Sequence, residues 1–215
     1  MTRTGRAALL VAILISAYSL AEAVATGLTG HPMLDPDAGP AVARGVVGLL
    51  LTATFTLSVA VLHEQSTRID ADSRPRRWLR RLLQTDLGVC AAVGAISLAL
   101  IPTPGNASID AILGAVGGVA FLLAFVLGAA FGLTTLVRRP ELRAGAICLA
   151  AIAVLVPVTI VMGVLHSPWT HIAYAETALY IGIALLARIP HSLGKTGPAH
   201  ARPRAHLAHP QIPSA

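Results

Sequence analysis

The stretch ILGAVGGVAFLLAFVLGAAFGLTTLV, residues 112–137, contains no charged side chain and no proline. As a helix rising ~1.5 Å per residue it exceeds the ~30 Å hydrocarbon core of a bilayer. It lacks the strict alternation of a barrel strand. In lipid every backbone amide must be satisfied within its own segment, so the stretch predicts a membrane-spanning helix.

Five further apolar runs flank it, at residues 7–28, 42–62, 82–101, 144–165 and 169–187. The composition agrees: 55% of the 215 residues are hydrophobic and 12% charged, against about 25% charged in soluble domains. Such a chain cannot cover a water-facing surface. The predicted fold is an all-α integral membrane bundle of six transmembrane helices. It forms one domain at residues 1–190, followed by a disordered cytoplasmic tail at 191–215. That tail is rich in Pro, Ala, His and Arg and offers no apolar face to bury. The irregular spacing of His191, His200, His206 and His209 argues for a solvated segment rather than a metal site.

Charge orients the bundle. Fifteen of the 16 basic residues fall at the N-terminus, in residues 63–81, in residues 138–143 and from Arg188 onward. Arg44, at the lip of the second run, is the exception. Basic loops stay cytoplasmic, so both termini are expected inside a bacterial plasma membrane. The arginines then act as topology signals and lipid-headgroup partners, not as a nucleic-acid surface. Trp78 among them fits an interfacial anchor. The opening MTRTGR, an apolar run and Ala21-Glu22-Ala23 also resemble a signal peptide, with a mature start at Val24. Continuation of the run to Leu28 favours an uncleaved anchor.

Within the quoted stretch, Gly114, Gly118, Phe121, Phe125, Gly128 and Gly132 recur at steps of three and four. Glycine lets a neighbouring backbone approach closely, so this stripe predicts a packing seam rather than a ligand groove. Pro157 should kink the fifth span. Cys90 and Cys148 lie in apolar runs without partners at metal-ligand spacing and read as packed thiols. Histidines 63, 166 and 171 lie at helix ends, and none lies mid-span, which argues against a membrane cytochrome. No metal, cofactor, phosphate-loop or serine-elbow motif occurs.

The acids are the remaining signal. An ionised carboxylate at mid-membrane costs roughly 2.5–3.5 kcal/mol even on the lenient insertion scale. Ser167 is expected to cap the last helix with Pro168 in its first turn, putting Glu176 two turns in, with Tyr180 on the same face. Glu22 lies at matching depth in the first helix, with Tyr18, Ser19 and Thr26 around it. The expected site is an outward-facing pocket lined by Glu22, Glu176, Tyr18, Ser19, Thr26, Tyr180, Tyr174 and Trp169. Two carboxyls that meet in such a place cannot both ionise cheaply, so at least one should be protonated at neutral pH. The alternative is two shallow carboxyls that snorkel or bond to a neighbouring hydroxyl. Asp110 should cap the fourth helix, and Asp86 should pair with Arg80 or Arg81.

The segment DLGVCAAVGAISLALIPTPGNASIDAILGAVGGVAFLLAFVLGAAFG and the close HIAYAETALYIGIALLARI resemble a bacterial six-helix membrane family, domain of unknown function 998. That family's third helix ends in a Phe-Pro-Thr-Asp-like turn, where this chain has Ile101-Pro102-Thr103-Pro104. Its fourth helix usually opens on a histidine, which SIDAIL lacks. Its last helix carries an acidic residue near its start, the position of Glu176. The resemblance implies a six-helix fold and no particular activity.

Three functions fit. The first is a membrane protein binding a lipid or small amphiphile. The second is a terpene-cyclase-like enzyme on a lipid or isoprenoid, with Glu22 or Glu176 as acid. The third is a small transporter subunit. The lack of an internal repeat weighs against a self-sufficient carrier.

Overall fold

The computed structural model describes residues 1–31, 41–70, 73–100 and 107–188, without the side chains of residues 41 and 107. The expected disordered tail, its histidines and the proline turn at 101–104 lie outside the described residues. All regular structure among the described residues is helical: α1 (Arg3–Thr29), α2 (Ala41–Glu64), α3 (Ser66–Asp70), α4 (Arg74–Leu100), α5 (Ala107–Arg138), α6 (Arg143–Val164) and α7 (Ala173–Leu186). One 3-10 turn, Pro140–Leu142, joins α5 to α6.

Among the described residues, five helices are long and apolar enough to cross a membrane. The shortest of them, α6, has 22 residues, or about 33 Å. It continues on both sides of Pro157, which lies inside it. The hydroxyl of Thr2 caps α1 by accepting from the Gly5 amide at 3.0 Å. At the other end Gly30, with φ 76°, closes α1 in the left-handed conformation.

The sixth expected span differs. It is a helix of 14 residues, about 21 Å long, and it starts at Ala173 rather than near Ser167. Residues 167–172 form turns instead. The Ser167 hydroxyl accepts from the Trp169 amide at 3.4 Å, and His171 Nδ1 accepts from the Ala173 amide at 3.1 Å. Glu176 therefore occupies the first turn of α7. A carboxylate is favoured there by the unpaired amides of the helix start.

Neighbours in sequence are neighbours in space: α1 packs on α2, α2 on α4, α4 on α5, α5 on α6 and α6 on α7, and α7 returns to α1. Because α7 also touches α2 and α5, it is set toward the inside of this ring. Ala175, Leu179, Tyr180, Ile183, Ala184 and Leu186 are all buried. Helices α1 and α7 run antiparallel. A methyl added to Gly5 would stand 2.4 Å from Ala187 Cβ, and one added to Gly27 would stand 2.5 Å from the Trp169 ring. The outward faces are apolar: Leu14 on α1, Val119, Leu122 and Val126 on α5, and Ile160 and Val164 on α6 are exposed. Such faces suit lipid, not water.

The arginine-bearing segments gather at one end. Asp70 on α3 accepts from Arg80 at 2.8 and 3.0 Å and has Arg77 at 3.7 Å. Arg139 pairs with Glu141 at 2.9 Å. The guanidinium of Arg76, 7% exposed, lies in the field of Arg138 and Arg139 as well as Asp70 and Glu141. Thr4 donates to Glu64, and Arg68 reaches the carbonyl of Arg188. Trp78 points outward, as an interfacial anchor would.

The expected pairing of Asp86 with Arg80 or Arg81 does not form. Arg80 is committed to Asp70 and Gln84, while Asp86 lies on the inward face of α4, 8% exposed. The six-residue step from Arg80 puts the two on different faces, since neighbours on a helix surface are three or four residues apart.

Candidate functional site: a cavity between α2, α4, α5 and α7

The glycine stripe of α5 divides into two halves. In the half near the basic end it is a seam. A methyl on Gly132 would stand 2.5 Å from the Ala150 backbone nitrogen, and one on Gly128 would stand 2.9 Å from a Leu179 methyl. In the other half, a methyl on Gly114 or Gly118 would meet no atom within 4 Å. That half borders open space, which corrects the expectation of one continuous packing seam. The periodicity is the same throughout; what changes is the neighbour. Helices α6 and α7 close on the lower half, while in the upper half α4 touches α5 beside the stripe, at Gly117, and leaves Gly114 and Gly118 uncovered.

The open space there is a cavity of about 580 Å³. Helix α2 contributes Arg44, Gly48, Leu51, Thr52 and Phe55; α4 contributes Cys90, Val93, Gly94, Ser97 and Leu98. Helix α5 contributes Asp110, Leu113, Gly114, Gly117, Gly118 and Phe121, and α7 contributes Glu176. Arg44 and Asp110 stand in the first turns of α2 and α5, so the mouth lies at the end opposite the arginine cluster. Asp110 also sits where the α5 helix dipole favours an acid. Aromatic rings close the floor. Phe55 meets Phe121 edge-on at 6.1 Å and Tyr180 at 5.8 Å, and Phe121 meets Phe125 at 4.8 Å.

Glu176 stands one helical turn from Tyr180, between mouth and floor. The Ser19 hydroxyl of α1 hydrogen-bonds its carboxyl. Behind it Tyr180 and Asp86 are buried, and Cys90 lines the cavity wall. The Tyr180 hydroxyl and one Asp86 oxygen are buried without a hydrogen-bond partner among the described residues.

Of the residues expected to form a pocket, Glu176 lines this cavity and Glu22, Tyr18, Ser19, Thr26, Tyr174, Tyr180 and Trp169 do not. Ser19 and Tyr180 are nonetheless adjacent to Glu176, one by hydrogen bond and one across a helical turn. Glu22 interacts with its neighbour Tyr18. Trp169 covers Gly27 at the end of the α1–α7 contact away from the arginine cluster. The sequence reading passed over Thr52, Phe55, Ser97 and Gly117. No spacing signal marks them, since Gly, Ser and Thr are spread evenly along α2 and α5. No metal-binding cluster of His, Cys, Asp and Glu occurs among the described residues.

No family model matches the sequence, and neither a curated protein nor a solved structure matches the chain.

Proposed function

We propose that this chain is a multi-pass plasma-membrane protein of a bacterium that holds a lipid or small amphiphile in the cavity between α2, α4 and α5. In this reading the arginine-rich end and both termini are cytoplasmic, and the cavity mouth faces outward. Helix α7 together with the turns before it acts as the sixth span. The observation that carries the reading is the cavity itself, which combines apolar walls, a charged mouth and one carboxyl partway down. Its size falls within the roughly 300–1,000 Å³ of pockets that take small molecules. Its makeup follows the usual pattern of apolar lining with few placed polar groups.

Native mass spectrometry of protein extracted from its own membrane in mild detergent tests the proposal. The wild type should carry a discrete mass adduct. Gly118→Leu, whose added carbons enter open space, should fold and lose it. A wild-type protein free of adducts, or an adduct unchanged in Gly118→Leu, would refute the cavity as the binding place.

A further inference from the structure

Resting on that reading, we propose that the cavity selects a lipophilic organic cation, an apolar molecule of drug size carrying one delocalised or shielded positive charge.

Three observations converge on this class. The first is the position of Glu176. It is the one charged side chain in the inner part of the cavity among the described residues, because Arg44 and Asp110 stand at the mouth. A purely apolar occupant would strip water from this carboxyl and return only the bond from Ser19. Desolvating a carboxylate without a new partner is costly. The occupant must therefore bring a positive charge or a donor to that depth.

The second observation is the floor. Phe55 and Phe121 line the same cavity as Glu176, and Phe55 meets Tyr180, which stands one helical turn from that acid. Aromatic rings beside an acid recognise cations that are too weakly hydrated to demand hydrogen bonds. Third, the charged groups on the wall are two carboxyls, Glu176 and Asp110, against one guanidinium, Arg44. An anion placed at depth would meet Glu176 with no base to answer it. An anion held at the mouth by Arg44 would lay its apolar part across Glu176, at the same desolvation cost.

Two probes of one shape and opposite charge, tetraphenylphosphonium and tetraphenylborate, separate charge from fit. Binding is measured on the full chain in zwitterionic-lipid nanodiscs, with empty nanodiscs subtracted. Wild-type protein should bind tetraphenylphosphonium at least about tenfold more tightly than tetraphenylborate. Glu176→Gln keeps the shape and should cost about tenfold in tetraphenylphosphonium affinity, the scale of one interaction with a charged group. Phe121→Leu should weaken the same probe about threefold, at the lower end of cation–aromatic energies. Gly118→Leu should abolish binding of both probes.

Equal binding of the two probes, or full affinity in Glu176→Gln, overturns the cation inference. If Gly118→Leu still removes that binding, the cavity reading stands without it. Tetraphenylphosphonium binding that survives Gly118→Leu overturns both. Failure of the wild type to bind tetraphenylphosphonium overturns the inference and leaves the cavity reading to the native adduct.

Discussion

Two glycine-to-alanine substitutions on the same helix face should move stability in opposite directions. Gly118→Ala and Gly132→Ala each replace a mid-helix glycine, which is worth about 1 kcal/mol in favour of the helix. That gain is common to both and cancels in their difference. What remains is the space each methyl enters. At Gly118 it meets nothing within 4 Å. At Gly132 it would meet the Ala150 nitrogen at 2.5 Å, Leu149 Cβ at 2.6 Å and the Leu149 carbonyl carbon at 2.7 Å. Two of those three atoms are backbone, so relief requires α6 to move as a unit. Overpacking of this kind costs typically about 1–3 kcal/mol, and three contacts at once place it at the upper end. The two proteins should then differ by about 2–3 kcal/mol, or about 4–12 °C in melting temperature at about 2–4 °C per kcal/mol. Thermal melting of detergent-purified protein, followed by dye labelling of Cys90 as it becomes exposed, reads this directly. Gly132→Ala melting at or above Gly118→Ala would refute the division of the stripe into seam and cavity wall.

Cysteine placed at Ser108, on a Cys-free background, should react with an impermeant reagent in intact cells, and cysteine at Ser73 only after lysis; the reverse pattern would overturn the orientation. Asp70→Asn removes the anionic partner of two arginines, one of them 7% exposed in its side chain. It should cost about 3 kcal/mol, seen as a lower melting temperature that Arg77→Ala alone does not reproduce. Asp86→Leu should raise the melting temperature, because a buried carboxyl with an unbonded oxygen costs more than a packed methyl group. A fall would show that Asp86 has a partner. Gly27→Val should displace Trp169 from α1, read as a change in tryptophan fluorescence, with Trp78 replaced by Phe to leave one emitter.

The long helices were legible in the sequence because each is an uninterrupted apolar run. Hydrophobic length is the same property that decides whether a segment enters lipid. The start of α7 was not legible. Pro168, Trp169 and Ile172 belong equally well to an apolar turn or to a first helical turn. The choice fell to His171, whose ring nitrogen takes the Ala173 amide. Helical spacing placed the α5 glycines on one face and kept Glu176 beside Tyr180. It carried no information on which helix stands opposite, so the stripe read as a single seam. The acid of α7 reads in the sequence as a neighbour of Glu22, and no periodicity points to the space it shares with Phe55. Asp86 was misjudged for a related reason. Nearness to Arg80 along the chain is not nearness on the helix surface, and Arg80 is taken by Asp70 on the preceding element.

The enclosure of α7 bears on how the protein is made. This helix joins α1 to α6 and so completes the ring, yet it leaves the ribosome after the six helices described before it. Until it arrives, Ala12, Ile15 and Ser19 on α1 and Gly145 and Leu149 on α6 have lost water without gaining a protein neighbour on that side. The nascent bundle must hold a vacant slot at its centre, filled meanwhile by lipid or by the insertion machinery. Because its final surroundings are protein, α7 needs neither the length nor the uniform greasiness by which a segment partitions into the bilayer unaided. Its 14 residues and its acid are tolerable for that reason. Closure of this ring is therefore a step of recognition between helices rather than one of insertion.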